Sequence, residues 1–205
     1  MPQPKVLCLV LGSLEREGWI NPNLALQLIK YAKDDRFNVE VGTVTGYRPH
    51  DTARNAAMVA ARQADPDWII QLDNDVVPSV SPLDIIANAP KDAAVIGVSY
   101  GICGRGCVGK DVPKLYPPSA AKQVADYEPA TELPGGVLCI NSVVLRKFPC
   151  GPWFQINTKA GSEILEWGAG EDSHFCNLVR SAGLKVYLHK SRAGHLHTVD
   201  VSTLV

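Results

Sequence analysis

Short apolar runs alternate with amphipathic segments over the first 100 residues of the chain. The runs typical of strands cover residues 5–11, 39–44, 67–73 and 94–100. The segments between them carry helix-start signals, because Asn, Asp and Ser cap helices and Pro fits the first turn. These signals are Asn21-Pro22, Asp51-Thr52 and Ser81-Pro82. Strands that alternate with helices predict an α/β fold with a mostly parallel sheet.

The pattern is less regular after residue 100. Residues 101–131 contain many Gly and Pro residues without a clear period, which indicates a long loop or several short pieces. A strand is predicted over 133–140, interrupted by Pro134-Gly135-Gly136, and a short helix over 142–147. After an irregular stretch over 148–170, a helix covers 171–182 with Gly183 as its C′ residue, and a last strand covers 184–188.

Two carboxylates, Asp73 and Asp75, stand where the strand over 67–73 ends. Charged groups at the end of a buried strand are costly unless something compensates them. A divalent cation is the usual compensation, because hard cations prefer carboxylate oxygens. The carboxyl ends of strands are also where open α/β sheets bind ligands. The alternative is a solvated turn in which both acids cap backbone groups, since Asp is common in turns.

Two further groups fall at the ends of predicted elements. Glu171 and Asp172 start the helix over 171–182, and Asp172 shares a helix face with Phe175 and Val179, so we expect it to point inward. The alternative is a helix cap, because free N–H groups and the helix dipole stabilise acids at a helix N-terminus. His195 follows the last strand, and a surface or satisfied histidine is the ordinary interpretation of such a residue.

Composition and charge narrow the class of protein. The chain is 46% hydrophobic and 20% charged, and its 205 residues suit a single domain with a sizeable core. Twenty basic and 21 acidic residues give a net charge of −1, which indicates neither a nucleic-acid footprint nor a membrane-surface patch. No apolar run reaches transmembrane length. Six cysteines in a chain this long are not a disulfide framework, which favours a reduced, cytoplasmic protein.

Taken in chain order, these groups and several glycines resemble a known pattern. The matching residues are Ala53-Arg54-Asn55, Asp73 and Asp75, Gly135-Gly136, Gly170 to Asp172, Phe175-Cys176, Arg180 with Ala182-Gly183, and Gly194-His195. The set is similar to glycosyltransferases of the family-2 type with the glycosyltransferase A fold, in particular to short bacterial or phage-like members. The resemblance implies one Rossmann-like domain with a mostly parallel mixed central sheet, in which residues 1–100 bind the nucleotide and residues 101–197 form the acceptor and catalytic half.

The resemblance also implies a metal and a donor site. Asp75 and His195 would ligate Mn²⁺ or Mg²⁺. Asp73 would be a further metal ligand or would contact the nucleotide-diphosphate sugar. His197 competes for the metal role, and His195 is preferred because it follows Gly194 as in the family. The nucleotide site would be lined by Leu11, Gly12, Ser13 and Arg54, although the first-strand motif usual in the family is missing. The alternative for Arg54 is a surface residue paired with a local acid such as Asp51.

The second half would then bind the acceptor, a saccharide or another molecule with a free hydroxyl group. In inverting members of the family, an acid that matches Asp172 removes the proton from that hydroxyl. Glu171, Trp153 and Trp167 would help to bind the acceptor, although core packing explains the tryptophans equally well.

Two other functional classes fit part of the pattern. An apolar run followed by D-x-D also describes the nucleophile loop of haloacid-dehalogenase-type phosphohydrolases, but that motif normally stands near the N-terminus and is accompanied by a later Lys and an Asp pair. A binding module that keeps the fold without turnover would use the same acids to hold a nucleotide.

Overall fold

The computed structural model describes residues 2–12, 20–47, 50–100, 126–156 and 170–195. These residues form five helices and eight strands. In chain order they are β1 (Lys5–Leu11), α1 (Pro22–Tyr31), β2 (Asn38–Val44), α2 (His50–Ala64), β3 (Trp68–Asp73), β4 (Val76–Pro78), α3 (Pro82–Ala87), β5 (Ala93–Tyr100), β6 (Tyr127–Pro129), β7 (Val137–Asn141), α4 (Val143–Lys147), α5 (Glu171–Ser181) and β8 (Lys185–His195).

The described strands form one mixed sheet. β1 pairs in parallel with β2 and β3, and β5 pairs in parallel with β8. β7 lies between β3 and β5 and is antiparallel to both. Therefore β1, β2, β3, β5 and β8 run in one direction, whereas β4 and β6 are antiparallel to β8. The predicted α/β fold with a mainly parallel mixed sheet is confirmed.

Helices cover both faces of the sheet. α2, α4 and α5 pack on one face, where Met58, Val144 and Phe175 are fully buried. α1 and α3 cover the other face, where Leu24 and Leu83 are fully buried. Strands of both sequence halves contribute to this sheet, since β7 lies directly between β3 and β5. The two halves of the chain therefore share the same two cores.

The alternation of side chains along β3 directs its last residue. Successive side chains of a strand point to opposite faces. Ile69 lies in the core beneath α2 and α5, whereas Ile70 and Leu72 lie in the core beneath α1 and α3. Asp73 has the parity of Ile69, so its carboxylate faces α2 and α5.

Local signals predict most of these elements. β1 has its predicted bounds, and Asn21 and Ser81 cap α1 and α3 through their side-chain oxygens. Gly183 ends α5 with a φ of 76°, a left-handed conformation that favours glycine. β4 and β6 were not predicted, because elements of three residues are too short to show a period. The predicted loop over 101–131 lies outside the described residues as far as 125.

The last strand reaches the end of β3 indirectly. The first part of β8 pairs with β5, and an irregularity in register between Val98 and Ser99 shifts its later residues. Its final residues pair with β4, with His195 opposite Val76 and Gly194 opposite Val77. β8 therefore extends beyond its predicted end, and its last residue lies beside the turn that follows β3.

Within the described ranges, no helix is both long and apolar enough to span a bilayer.

Replacing Phe175 by Ala should destabilise the fold strongly. Phe175 is fully buried, and its ring stacks on that of Phe154 with centroids 4.2 Å apart. Removing a buried aromatic ring typically costs about 3–5 kcal/mol, because the surroundings fill the cavity incompletely. Denaturant unfolding measures the loss, and Leu178→Ala on the same helix, where the side chain is half-buried, should cost clearly less. Equal losses would contradict this account of the core.

Candidate active site

Backbone hydrogen bonds fix the turn after β3 from several sides. The N–H of Asn74 donates to the carbonyl of Leu11 at 3.1 Å, and the N–H of Asn21 donates to the carbonyl of Asn74 at 3.0 Å. The N–H of Asp73 donates to the carbonyl of Gly136 at 3.0 Å. The end of β1, the start of α1 and the approach to β7 therefore hold this turn together.

Arg54 reaches from α2 to the end of β3 and is 3% exposed. Its Nη2 lies 3.1 Å from Oδ1 and 3.3 Å from Oδ2 of Asp73. Its Nε lies 3.5 Å from Oε1 of Glu171. One buried guanidinium thus links the carboxylate at the end of β3 with the first residue of α5. The interpretation of Arg54 as a surface residue paired with Asp51 is wrong, because its side chain is buried against other acids.

Gly135 gives the guanidinium its space. A Cβ atom at Gly135 would lie 2.5 Å from Nη2 and 2.8 Å from Cζ of Arg54. Real Cβ atoms essentially never come this close to another heavy atom. Any larger residue at position 135 would therefore have to displace the guanidinium from this position. In the Gly135-Gly136 pair, the first residue leaves space for Arg54 and the second accepts a hydrogen bond from the turn after β3.

The acids at this edge outnumber the nearby basic groups. Burial raises the pKa of Asp73, and the Arg54 guanidinium opposes this shift without cancelling it. The carboxylates of Asp75 and Glu171 raise the pKa of Asp73 further, and His50 lowers it. A raised carboxyl pKa means that the anion is less stable here than in water. An additional cation would therefore be stabilised at this edge.

Asp172 lies in the first turn of α5 and is half-buried. Burial raises its pKa, and the neighbouring Glu171 raises it further. The Ser173 N–H opposes the shift by donating to Oδ1 of Asp172 at 2.8 Å. A Cβ at Gly170 would lie 2.9 Å from this oxygen, so the preceding glycine leaves room for the carboxylate. The contact with Ser173 fits the helix-cap interpretation, and the burial fits a role as base.

The backbone of His195 comes close to the predicted metal-binding turn. His195 is opposite Val76, the residue that follows Asp75. The imidazole of His195 lies outside the described part of the structure, as does all of His197. The metal-binding roles of Asp73, Asp75 and His195 stay a prediction. The strand register shows that the backbone of His195 lies close to the turn that contains Asp75.

The residues predicted to line the donor site have different surroundings. The Leu11 side chain is 6% exposed and packs in the core, so only the backbone of Leu11 could contact a nucleotide at this edge. The N–H of Gly12 donates to the carbonyl of Val44 at 2.9 Å. Ser13 lies outside the described residues. Their role in nucleotide binding stays a prediction.

Trp153 packs in the core. It is 2% exposed, and its Nε1 donates to the carbonyl of Phe148 at 2.8 Å. A ring that stacks on a sugar needs an exposed face, so Trp153 fits the core-packing interpretation and is not carried into the proposed acceptor site. Trp167 lies outside the described residues.

Asn55 has a positioning role that the sequence did not reveal. Its Oδ1 accepts hydrogen bonds from the N–H groups of Trp153 at 2.9 Å and Phe154 at 3.0 Å. Its Nδ2 donates to the carbonyl of Phe154 at 2.7 Å. The nearby Asp51 accepts a hydrogen bond from the N–H of Ile156 at 3.3 Å. A polar side chain within the alanine-rich stretch of α2 was the signal that could have indicated such contacts.

The donor atoms at this edge fit a hard divalent cation. Carboxylate oxygens are the ligands that Mg²⁺ and Mn²⁺ prefer, and Asp73 lies in an acidic environment that Arg54 neutralises incompletely. In the described part of the chain, no group of three or more His, Cys, Asp and Glu side chains is arranged to hold a metal ion. The His195 imidazole, the third ligand implied by the family resemblance, lies outside this part of the chain.

Comparison with solved structures establishes the fold. A197 from STIV has a TM-score of 0.63 and 18% identity, over 94% of this chain and 86% of that one. A Drosophila β1,4-galactosyltransferase 7 mutant has a TM-score of 0.53 and 16% identity, over 94% and 71%. GalNAc-T7 has a TM-score of 0.54 and 16% identity, over 95% and 44%. The chain has the glycosyltransferase A fold.

Two of these structures contain ligands. The GalNAc-T7 structure holds UDP, GalNAc and Mn²⁺, and the Drosophila structure holds manganese, UDP-Gal and xylobiose. The chain spans less than half of the GalNAc-T7 chain. No family model and no curated protein matches the sequence. The fold is the one that the family resemblance implies.

Replacing Asn55 by Ala should loosen the segment that carries Trp153 and Phe154. The change leaves backbone groups of two buried residues without their partner. Such groups typically cost about 1–3 kcal/mol each when they stay unsatisfied. Denaturant unfolding measures the total, and Asn38→Ala, at an exposed position of β2, should cost clearly less. An Asn55→Ala variant as stable as the wild type would show that this side chain does not hold the segment.

Proposed function

We propose that this chain is a metal-dependent glycosyltransferase, which moves a sugar from a nucleotide-diphosphate donor to an acceptor hydroxyl. One observation carries the proposal. In a glycosyltransferase A fold, Arg54 joins the carboxylate that ends β3 to the helix that begins with Glu171 and Asp172. The acids of the two sequence halves thus meet at the carboxyl edge of the sheet, where such folds bind ligands.

In this proposal, Asp75 and His195 ligate Mn²⁺ or Mg²⁺, and Asp73 lies beside them. The strand register supports this grouping, because the backbone of His195 is paired with the residue next to Asp75. When bound, the cation offsets negative charge on the departing nucleoside diphosphate. The structures of GalNAc-T7 and the Drosophila galactosyltransferase were both solved with manganese, which supports a divalent cation in this proposal.

Asp172 is the proposed general base of an inverting transfer. The acceptor oxygen forms a bond to the anomeric carbon while the bond from that carbon to the diphosphate oxygen breaks. The acceptor proton passes to the Asp172 carboxylate, and the diphosphate leaves with the electron pair of the broken bond. Oε1 of Glu171 lies 3.5 Å from Nε of Arg54. In this position Glu171 would orient the acceptor beside the Asp172 carboxylate. The raised pKa of Asp172 makes its carboxylate a stronger base than an exposed aspartate.

Replacing Asp75 by Ala should abolish metal-dependent nucleotide binding. Calorimetric titration of UDP and other nucleoside diphosphates, with and without Mn²⁺, measures the effect. For the wild type, Mn²⁺ should strengthen binding of the preferred diphosphate, whereas the variant should bind equally weakly with and without the ion. Asp35→Ala, which removes an exposed acid after α1, is the matched control. Binding by Asp75→Ala that still depends on Mn²⁺ would contradict the role of this carboxylate.

Replacing Asp172 by Asn should lower the transfer rate about a hundred- to ten-thousand-fold, the usual contribution of a positioned base. Diphosphate binding and the unfolding midpoint should stay near the wild-type values. The wild-type rate should fall as the pH falls through the pKa of Asp172. Because that pKa is raised, this acidic limb should lie above the ordinary aspartate value of about 3.9.

Two outcomes of this experiment count against Asp172 as the base. If Asp172→Asn unfolds without a separable loss of transfer, the carboxylate is a helix cap. If the variant transfers sugar at the wild-type rate, the proton goes elsewhere. A wild-type protein that binds nucleoside diphosphate with Mn²⁺ and forms no product with any acceptor would be a binding module of the same fold.

A further inference from the structure

We propose that Arg54 is a positioning residue, which holds Asp73 and the start of α5 in a fixed relation and does not itself bind the donor. The inference rests on the proposed function for its catalytic consequence. It assigns to Arg54 a role different from the one that the sequence resemblance implies, a direct contact with the nucleotide.

Burial separates Arg54 from the surface where a donor would bind. Its side chain is 4% exposed, compared with 27% for Asp73 and 19% for Glu171. A nucleotide approaching this edge therefore meets the acids before it meets the guanidinium. Nη2 and Nε already face the two carboxylates, so these donors are committed to the protein.

The space around Arg54 is bounded by separate segments of the second half of the chain. Gly135 leaves no room for even a methyl group against Nη2. The Phe154 ring centre lies 5.9 Å from Cζ of Arg54, and Phe154 stacks on Phe175 of α5. Arg54 itself belongs to α2, so the guanidinium fills a space between the first and second halves of the chain. A side chain confined in this way fixes the positions of Asp73 and Glu171, to which it is hydrogen-bonded.

The energetics of the pairing favour positioning over stabilisation. Bringing a guanidinium and carboxylates out of water costs much of what their attraction returns, so such pairs contribute little net stability. What they do provide is geometry, because the planar fork of Arg offers donors in fixed directions. Nη2 is directed at Asp73 and Nε at Glu171, which immediately precedes the proposed base. The distance between the proposed metal-binding turn and Asp172 thus depends on one rigid group.

Lysine should not replace arginine here. An ammonium group keeps the charge but concentrates it at one point, so it cannot present a rigid fork to both acids. A displacement of about 1 Å in a catalytic group can cost on the order of a hundredfold in rate. For Arg54→Lys we therefore expect kcat to fall about a hundredfold, while KM for the donor and the Kd of the nucleoside diphosphate change less than threefold.

Gly135→Ala tests the same link without changing any polar group. The added methyl group must displace the guanidinium, so kcat should fall in the same direction as in Arg54→Lys, again with donor binding kept. Gly42→Ala is the matched control, because its Cβ would meet the end of the Leu9 side chain at 3.1 Å, and its strand β2 is separated by β1 from the strand that ends in Asp73. This variant should keep the wild-type kcat.

A second readout does not depend on catalysis. Amide hydrogen exchange at residues 171–175, the first turn of α5, should become faster in Arg54→Lys and Gly135→Ala and stay unchanged in Gly42→Ala. If the wild type transfers no sugar, the proposed function has failed, and faster exchange in both variants would still support the positioning of α5 by Arg54.

Two results would overturn the proposal. If Arg54→Lys weakens diphosphate binding and leaves kcat unchanged, Arg54 is a donor ligand. If neither Arg54→Lys nor Gly135→Ala changes kcat or the exchange of α5, the ion pairs do not position the site.

Discussion

The buried contact between Arg54 and Asp73 is the constraint on which the arrangement of the site depends. A carboxylate at the end of a strand whose middle residues are buried needs a compensating charge, and the guanidinium supplies it from α2. The same guanidinium reaches Glu171, so the start of α5 is tied to the end of β3. The compensation is incomplete, because burial and neighbouring acids keep the pKa of Asp73 raised. The charge that remains supports the proposed binding of a divalent cation at this edge.

The sheet topology delivers the other parts of the site to this edge. β7 is antiparallel to β3, so the residues that precede it, Gly135 and Gly136, lie next to the end of β3. One accommodates Arg54, and the other accepts a hydrogen bond from the Asp73 N–H. β8 runs past β5 and then pairs with β4, which brings His195 beside the same turn. Residues far apart in the sequence therefore converge because the strand order interleaves the two halves of the chain.

Sequence patterns predicted the parts of the fold that are local. The capping residues Asn21 and Ser81, and the C′ glycine Gly183, act within one turn of their own helices. The apolar period of β1 and β3 was visible for the same reason. β4 and β6 have three residues each and depend on β8 for pairing, so no local period could reveal them.

Sequence patterns also predicted only those parts of the candidate site that are local. The motif spacing indicated the acids that end β3 and begin α5, because element ends are local. It could not indicate that Arg54 joins them, since that contact spans 117 residues of sequence to Glu171. The resemblance placed Arg54 near the nucleotide, and the alternative placed it at the surface. Trp153 shows the converse difficulty, because an aromatic residue in an irregular stretch has the same sequence signature as a sugar platform or as a core residue.

Two adjacent residues of α2, Arg54 and Asn55, make different kinds of contact with the second half of the chain. Arg54 faces the acids at the sheet edge, whereas Asn55 binds the backbone of residues 153–154. The two contacts differ physically. Asn55 satisfies buried backbone groups, and such bonds stabilise the fold because the unpaired groups would be costly. Arg54 pairs charges whose desolvation offsets much of their attraction, so it adds direction more than stability. Stability and catalytic geometry can therefore be separated at neighbouring positions of one helix, although both contacts join the two halves of the chain.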